Sequence, residues 1–229
     1  MRQAFALSVD RSALASTIFS GGRLPLYSPI PDTVPGHLPV LPQRNLPLAR
    51  SLLLEEGYSQ AVPLEIELWY VDDGRYSAVE AAYAAALESQ LEETGVFQVT
   101  LTAAPFEQFI GQVGECNLPA YLLGWPSPGR PVDYPDPSAW TDIFVTSATF
   151  CPNYESAAMT AFIQAADEET DPAARLAIYG DIQQLWAQDF PTLDLLQEPR
   201  IAISVNSVNN VQIDAMGLMH YEVLTKGGG

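Results

Sequence analysis

The sequence predicts an α/β fold with a mostly parallel central sheet flanked by helices. Three stretches carry that reading. Leu64 to Tyr70 and Val96 to Thr102 each alternate apolar and polar residues, the signature of strands with one buried face. Between them, Arg75 to Thr94 is long, Ala-rich and apolar at helical spacing, with Gly95 ending it. A third apolar strand, Leu118 to Gly124, follows a short helix that Pro105 starts and that runs through Val113. Strand, helix, strand, helix, strand is the order of parallel crossover units.

The other elements follow from caps and breakers. Asp10 caps a helix through Phe19, stopped by Gly21 and Gly22. Arg23 to Asn45 holds six prolines, so neither a helix nor a central strand fits there; it is a connector, or else a segment lining a cleft. Asn45 caps a helix from Leu46 to Glu56, closed by Gly57. Asp72, Asp73 and Gly74 form a turn. Asn153 or Ser156 begins a helix to about Ala166, and Asp171-Pro172 starts another running to Gln188. Thr192 to Leu196 and Ile201 to Val205 are apolar runs suited to strands. Val211 to Thr225 alternates loosely.

Composition narrows the function. The chain has 229 residues and is 48% hydrophobic, which suits a sizeable core. Its formal net charge is -18 with ten basic residues, which argues against nucleic acid and against anionic membrane surfaces. No stretch of about 18 apolar residues is present to span a bilayer. Two cysteines and the separated His37 and His220 give no metal-ligand spacing, and no cofactor is implied.

The chemistry gathers after the third strand. Trp125 offers an aromatic wall, and Asp133-Tyr134-Pro135-Asp136-Pro137 supplies two carboxylates within one proline-dense loop. Prolines stiffen such a loop, so its side chains are presented at little ordering cost. Ligands of open α/β sheets bind just beyond strand ends. Asp133 is a candidate clamp for a cationic group, or an Asx-type turn residue; Asp136 is the better turn former. Arg130 could meet a ligand carboxylate or Asp133, or sit on an exposed loop. Trp140 and Phe144 read as core, and Tyr70 as core or rim.

This segment, a strand ending in Gly124-Trp125 and followed by Asp133 to Pro137, resembles the family 5 solute-binding proteins of ABC transporters, the oligopeptide, dipeptide and nickel binders. Met1 to Leu14 resembles the helix pair opening that family's C-terminal lobe. Leu46 to Tyr58 resembles its helix ending in Ala-Gly-Tyr, and Glu169 to Tyr179, continuing to Asp189-Phe190-Pro191, its late helix. The order covers nearly the whole chain; Ser127 to Pro131 depart from the pattern as extra residues between the Trp and the Asp.

The resemblance implies a periplasmic binding protein type II-like lobe. Residues 1–205 would form the C-terminal ligand-binding lobe, and 206–229 a tail that pairs with a missing N-terminal lobe. It implies an extracytoplasmic protein, exported with a signal absent from this chain. The partners would be an oligopeptide or other small solute, that second lobe and a membrane permease. The site residues would be Trp125, Asp133, Tyr134, Arg130, Asp136 and Gln197, the last by its place near a ligand-contacting segment. Asp133 matches the carboxylate that pairs with the ligand's amino terminus in peptide-binding relatives. In an exported protein Cys116 and Cys151 are a candidate disulfide, closing about 35 residues and contributing ~3 kcal/mol in the chain-entropy model; two buried thiols are the alternative. The expected function is binding without chemistry. The rivals are a ligand-sensing module of a regulatory protein, and a hydrolase using Asp133 and Asp136 as a carboxylate pair, which their spacing on one stiff loop argues against.

Overall fold

The computed structural model describes residues 1–125, 136–146, 150, 154–199, 201–214 and 218–227. At its centre is a three-stranded parallel sheet formed by β2 (Leu64–Val71), β3 (Phe97–Ala104) and β4 (Ala120–Tyr121), in the order β3-β2-β4. β2 and β3 pair in register along eight residues, from Leu64 beside Phe97 to Val71 beside Ala104. The crossover between them is α4 (Glu80–Glu92), and α5 (Phe106–Gly114) leads on to β4.

One face of the sheet is covered along its length, and the other toward its carboxyl end, where Trp69, Val71 and Ala104 pack with Phe109 and Val113 of α5 and with Leu118. Leu68 and Val99 pack with Leu87 and Leu91 of α4, and this core extends to α1 (Arg2–Ser8), α2 (Arg11–Thr17) and α3 (Leu46–Glu55). The opposite face presents Glu65, Glu67, Gln98 and Thr100 to solvent. The alternation read in the sequence therefore maps onto the two faces, as the two-residue period of a strand requires. A second core joins α6 (Ser138–Thr146), α7 (Ala157–Glu168) and α8 (Pro172–Asp189) through Trp140, Met159, Ile163, Tyr179, Ile182 and Trp186.

The caps behave as their side chains predict. Asp10, Asn45, Ser156 and Asp171 each accept the backbone N–H three residues on. Gly57 and Gly95 have positive φ, +92° and +69°, where a Cβ would be strained.

Four expectations need correction. The helix expected from Arg75 begins only at Glu80. Residues before it are held in a loop, because Asp73 accepts the Arg75 N–H and Ser77 accepts the Val79 N–H while donating to Glu80. The strand expected over Leu118 to Gly124 narrows to Ala120–Tyr121, with one further bond from the Leu122 N–H to the Trp69 carbonyl (2.9 Å). Pro119 has no N–H to donate, which suits an edge strand cut short. The run at Thr192 to Leu196 yields only β5 (Leu196–Gln197), antiparallel to β1 (Leu24–Pro25) inside the proline-rich connector. Ile201 to Val205 forms no strand at all. Beyond it, β6 (Val208–Asn209) and β7 (Thr225–Lys226) make a small antiparallel pair.

Candidate functional site

Three loops leave the carboxyl ends of the parallel strands and meet. The loop after β2 brings Tyr76, the turn after β3 brings Phe106, and the segment after β4 brings Gly124 and Trp125. Tyr76 and Phe106 meet edge to face with centroids 6.2 Å apart, and the Arg75 guanidinium lies 3.7 Å from the Phe106 ring centroid. Asp73 ties two of the loops together by accepting the Phe106 N–H (2.9 Å). Gly124 is a close approach: a Cβ there would stand 2.4 Å from Tyr76 Cδ1, so no larger residue fits without moving the ring.

Trp125 follows that glycine directly. Its indole is 37% exposed, although most large apolar side chains of the sheet are covered. The ring is not loose. Nε1 donates to the Ala139 carbonyl in the first turn of α6 (2.9 Å), and Phe144 and Phe150 stand edge to face against it at 5.6 and 5.4 Å. Tyr121 donates its hydroxyl to the Phe150 carbonyl, which couples β4 to the same cluster. The outcome is a fixed aromatic surface open to solvent at the carboxyl edge of the sheet, where ligands of such folds bind.

Asp136, named both as a site candidate and as the better turn former, is engaged within the fold. It accepts from the Ser138 N–H and hydroxyl and from both terminal nitrogens of Arg175, which together use the acceptor capacity of a carboxylate. Burial pushes its carboxyl up, but the Arg175 and Ser138 hydrogen bonds outweigh that and hold it below the usual carboxylate range. It caps and anchors α6. Asp142, in the next turns of α6, is the contrary case: burial, reinforced by Asp167 and Asp136, raises it to about 6 against the pull of Arg175 and a Thr141 hydrogen bond.

Gln197 lies on β5, where its side-chain oxygen accepts the Asp32 N–H (3.0 Å), so its position fixes the proline-rich connector. Its neighbour Glu198 is 3.8 Å from Arg23, whose guanidinium donates to the Tyr76 carbonyl (3.0 Å). Glu198, Arg23, Tyr76, Gly124 and Trp125 thus form one continuous rim. Arg130, Asp133 and Tyr134 lie outside the described residues, as does Cys151; Cys116 is disulfide-bonded. Trp140 is buried, as read from the sequence, and Phe144 is half-buried against Trp125.

The sequence reading passed over Arg23, Tyr76 and Arg175. Tyr76 and Arg23 carry no local pattern; only the tertiary contacts select them. Arg175 had a weak signal, one of ten basic residues placed four before Tyr179 on a helix. Among the described residues no group of three or more His, Cys, Asp or Glu side chains is placed to hold a metal ion. No helix among them is long and apolar enough to cross a membrane.

The architecture is that of a lobe of a periplasmic binding protein. A dipeptide-binding protein from Pseudoalteromonas sp. SM9913, solved with Met-Leu, superposes with a TM-score of 0.81 at 22% identity, covering 98% of this chain and 44% of that one. HbpA2 from Haemophilus parasuis gives 0.80 at 20% identity, covering 98% and 44%. Residues 1–150 match the model of the bacterial extracellular solute-binding proteins, family 5 middle region, and the chain belongs to that family. Relatives include the nickel-binding protein NikA of Staphylococcus aureus, 22% identical across 95% of this chain and 43% of the relative. The periplasmic oligopeptide-binding protein OppA of Escherichia coli is 23% identical across 82% and 35%. The chain therefore spans less than half the length of these relatives.

Proposed function

We propose that this chain is the ligand-binding lobe of a solute-binding protein serving an ABC transporter, and that its solute is a peptide with a free amino terminus. Residues 1–205 form the lobe, and 206–229 pair with a second lobe that closes over the ligand by a hinge before docking on a permease. The whole works outside the cytoplasm, as a receptor and not as an enzyme.

The observation that carries the reading is the exposed yet rigidly held indole of Trp125 at the carboxyl edge of the sheet. A held aromatic face takes a peptide backbone or side chain with little ordering cost. Asp133 supplies the charge-assisted bond to the ligand amine. The formal net charge of -18 favours approach of a cationic terminus. Carboxylate-pair hydrolysis is disfavoured, because Asp136 is committed to Arg175 and Ser138.

The test uses a protein carrying both lobes, with peptide binding read by calorimetry and by thermal stabilisation. Trp125→Ala should weaken peptides about 10- to 100-fold, the loss of a buried aromatic contact. Asp133→Asn should weaken free-amine peptides more than their acetylated counterparts. Equal losses for the two peptide forms would remove the amine clamp, and an unaltered affinity in Trp125→Ala would remove the site.

A further inference from the structure

We propose that Arg175, on α8, is a positioning residue of the ligand site, setting the Trp125 indole through the first turn of α6. The proposal rests on the site reading above and extends it to a residue outside the cleft loop.

The connection is a short chain of hydrogen bonds. Arg175 Nη2 donates to Asp136 Oδ1 (3.0 Å) and Nη1 to Asp136 Oδ2, a two-pronged grip that only a planar guanidinium makes. Asp136 Oδ1 in turn accepts the Ser138 N–H (3.0 Å) and hydroxyl (2.7 Å), and its carbonyl accepts the Ala139 N–H (3.1 Å). The Ala139 carbonyl receives the Trp125 indole N–H (2.9 Å). The Trp125 indole and the Asp136 carboxylate thus both fasten to the first turn of α6. Whatever fixes that turn fixes where the Trp125 indole stands.

Arg175 is itself immobilised. Its Nε donates to the Ala166 carbonyl in the last turn of α7 (2.9 Å), and Nη2 also reaches the Tyr179 hydroxyl (3.2 Å). The guanidinium therefore ties α7, α8 and the start of α6 at one point. A lysine would keep the charge but not the fork or the Ala166 bond.

The test separates positioning from plain stability. In the 229-residue chain, ¹⁵N-labelled indoles give signals from Trp69, Trp125, Trp140 and Trp186, with Trp125→Phe assigning the one of interest. Arg175→Met should shift the Trp125 indole signal and speed its exchange with water roughly five- to tenfold, the weakening of one hydrogen bond. The Trp69 signal, from β2, should stay in place. Should Arg175→Met fail to fold, Asp136→Asn, which keeps one acceptor oxygen for the Ser138 cap, should produce the same selective shift. An unmoved Trp125 signal, or equal movement of Trp69 and Trp125, overturns the proposal.

A second arm uses the two-lobe protein and a free-amine tripeptide of alanine. Arg175→Met should lower affinity and Arg175→Lys restore only part of it. The double variant with Trp125→Ala should bind no more weakly than the weaker single variant; additive losses overturn the proposal. If the wild-type protein binds no peptide, the functional reading falls, while the indole experiment still decides whether Arg175 sets Trp125.

Discussion

Two regions of this chain share one sequence pattern and reach opposite ends. β2 and β3 alternate apolar and polar residues, pair along eight residues and bury Leu68 to 2% exposure under α4. Ile201, Ile203 and Val205 alternate with Ala202 and Ser204 in the same way, yet form no strand, and Ile203 is 95% exposed. Alternation states which side chains would share a face; it does not supply the neighbouring strand or the covering layer. The central strands find both within the chain, because α4 returns β3 alongside β2. The later segment finds neither, and leaves three β-branched side chains in water.

That contrast is measurable, and its largest expression is in the core. Leu68→Ala opens a cavity beneath α4 and should cost about 2–5 kcal/mol in urea unfolding. Ile203→Ala removes a side chain that is already hydrated and should fall within about 0.5 kcal/mol of wild type. Comparable losses at the two positions would mean that Ile203 packs in solution, and the contrast would be gone.

The body of the lobe and the tail also differ in their response to pH. In the body, Asp142 has a folded pKa raised from 3.8 to about 6, chiefly by burial. Its protonated form is the one the fold favours. The stability it contributes is complete below the unfolded pKa near 4 and is lost as pH rises through about 6. Asp142→Asn mimics the neutral form and keeps an acceptor for the Thr141 hydroxyl. It should therefore raise Tm at pH 7, by about 2–4 °C if ~1 kcal/mol is recovered at this half-buried site, and change little at pH 4. Asp194, also raised to about 6 by burial, slopes in the same direction and forms the background in both proteins. In the tail, a Glu222 hydrogen bond raises the pKa of His220, but the ring is exposed, so His220→Gln should leave the pH profile of Tm unaltered. A gain from Asp142→Asn that persists at pH 4 would assign it to something other than ionisation.

How far the fold was legible follows from the same distinction. Signals held within a few residues survived: the caps at Asp10, Asn45, Ser156 and Asp171, the paired strands β2 and β3, and the helix α8 all stand where side-chain chemistry puts them. What depends on distant partners did not. The strand after Leu118 shrinks to two residues at an edge, and β1 exists only because Leu196 and Gln197 lie beside it. In the candidate site, Trp125 was legible as an aromatic at a strand end. The Asp136 grip on Arg175 was not, because it joins residues 39 apart in sequence and no local pattern marks it. Asp136 stood out as a carboxylate beside a tryptophan, and the contact that assigns its role lies on another helix.

The smallest effect tests the outer end of the contrast most directly. Ile203→Lys puts a charge on a side chain with almost no protein neighbour, so the 229-residue chain should unfold at the same urea midpoint as wild type. The substitution also breaks up the apolar run Ile201, Ile203 and Val205, whose exposure of 67–95% makes it a ready surface for chance association. Sedimentation or light scattering at rising concentration should therefore find Ile203→Lys less self-associated than wild type, with no change in fold. Unaltered stability with reduced association is what an apolar run left without a neighbour within the chain requires. A lowered urea midpoint for Ile203→Lys would mean that the segment packs within the chain, and equal association of the two proteins would leave it as plain surface.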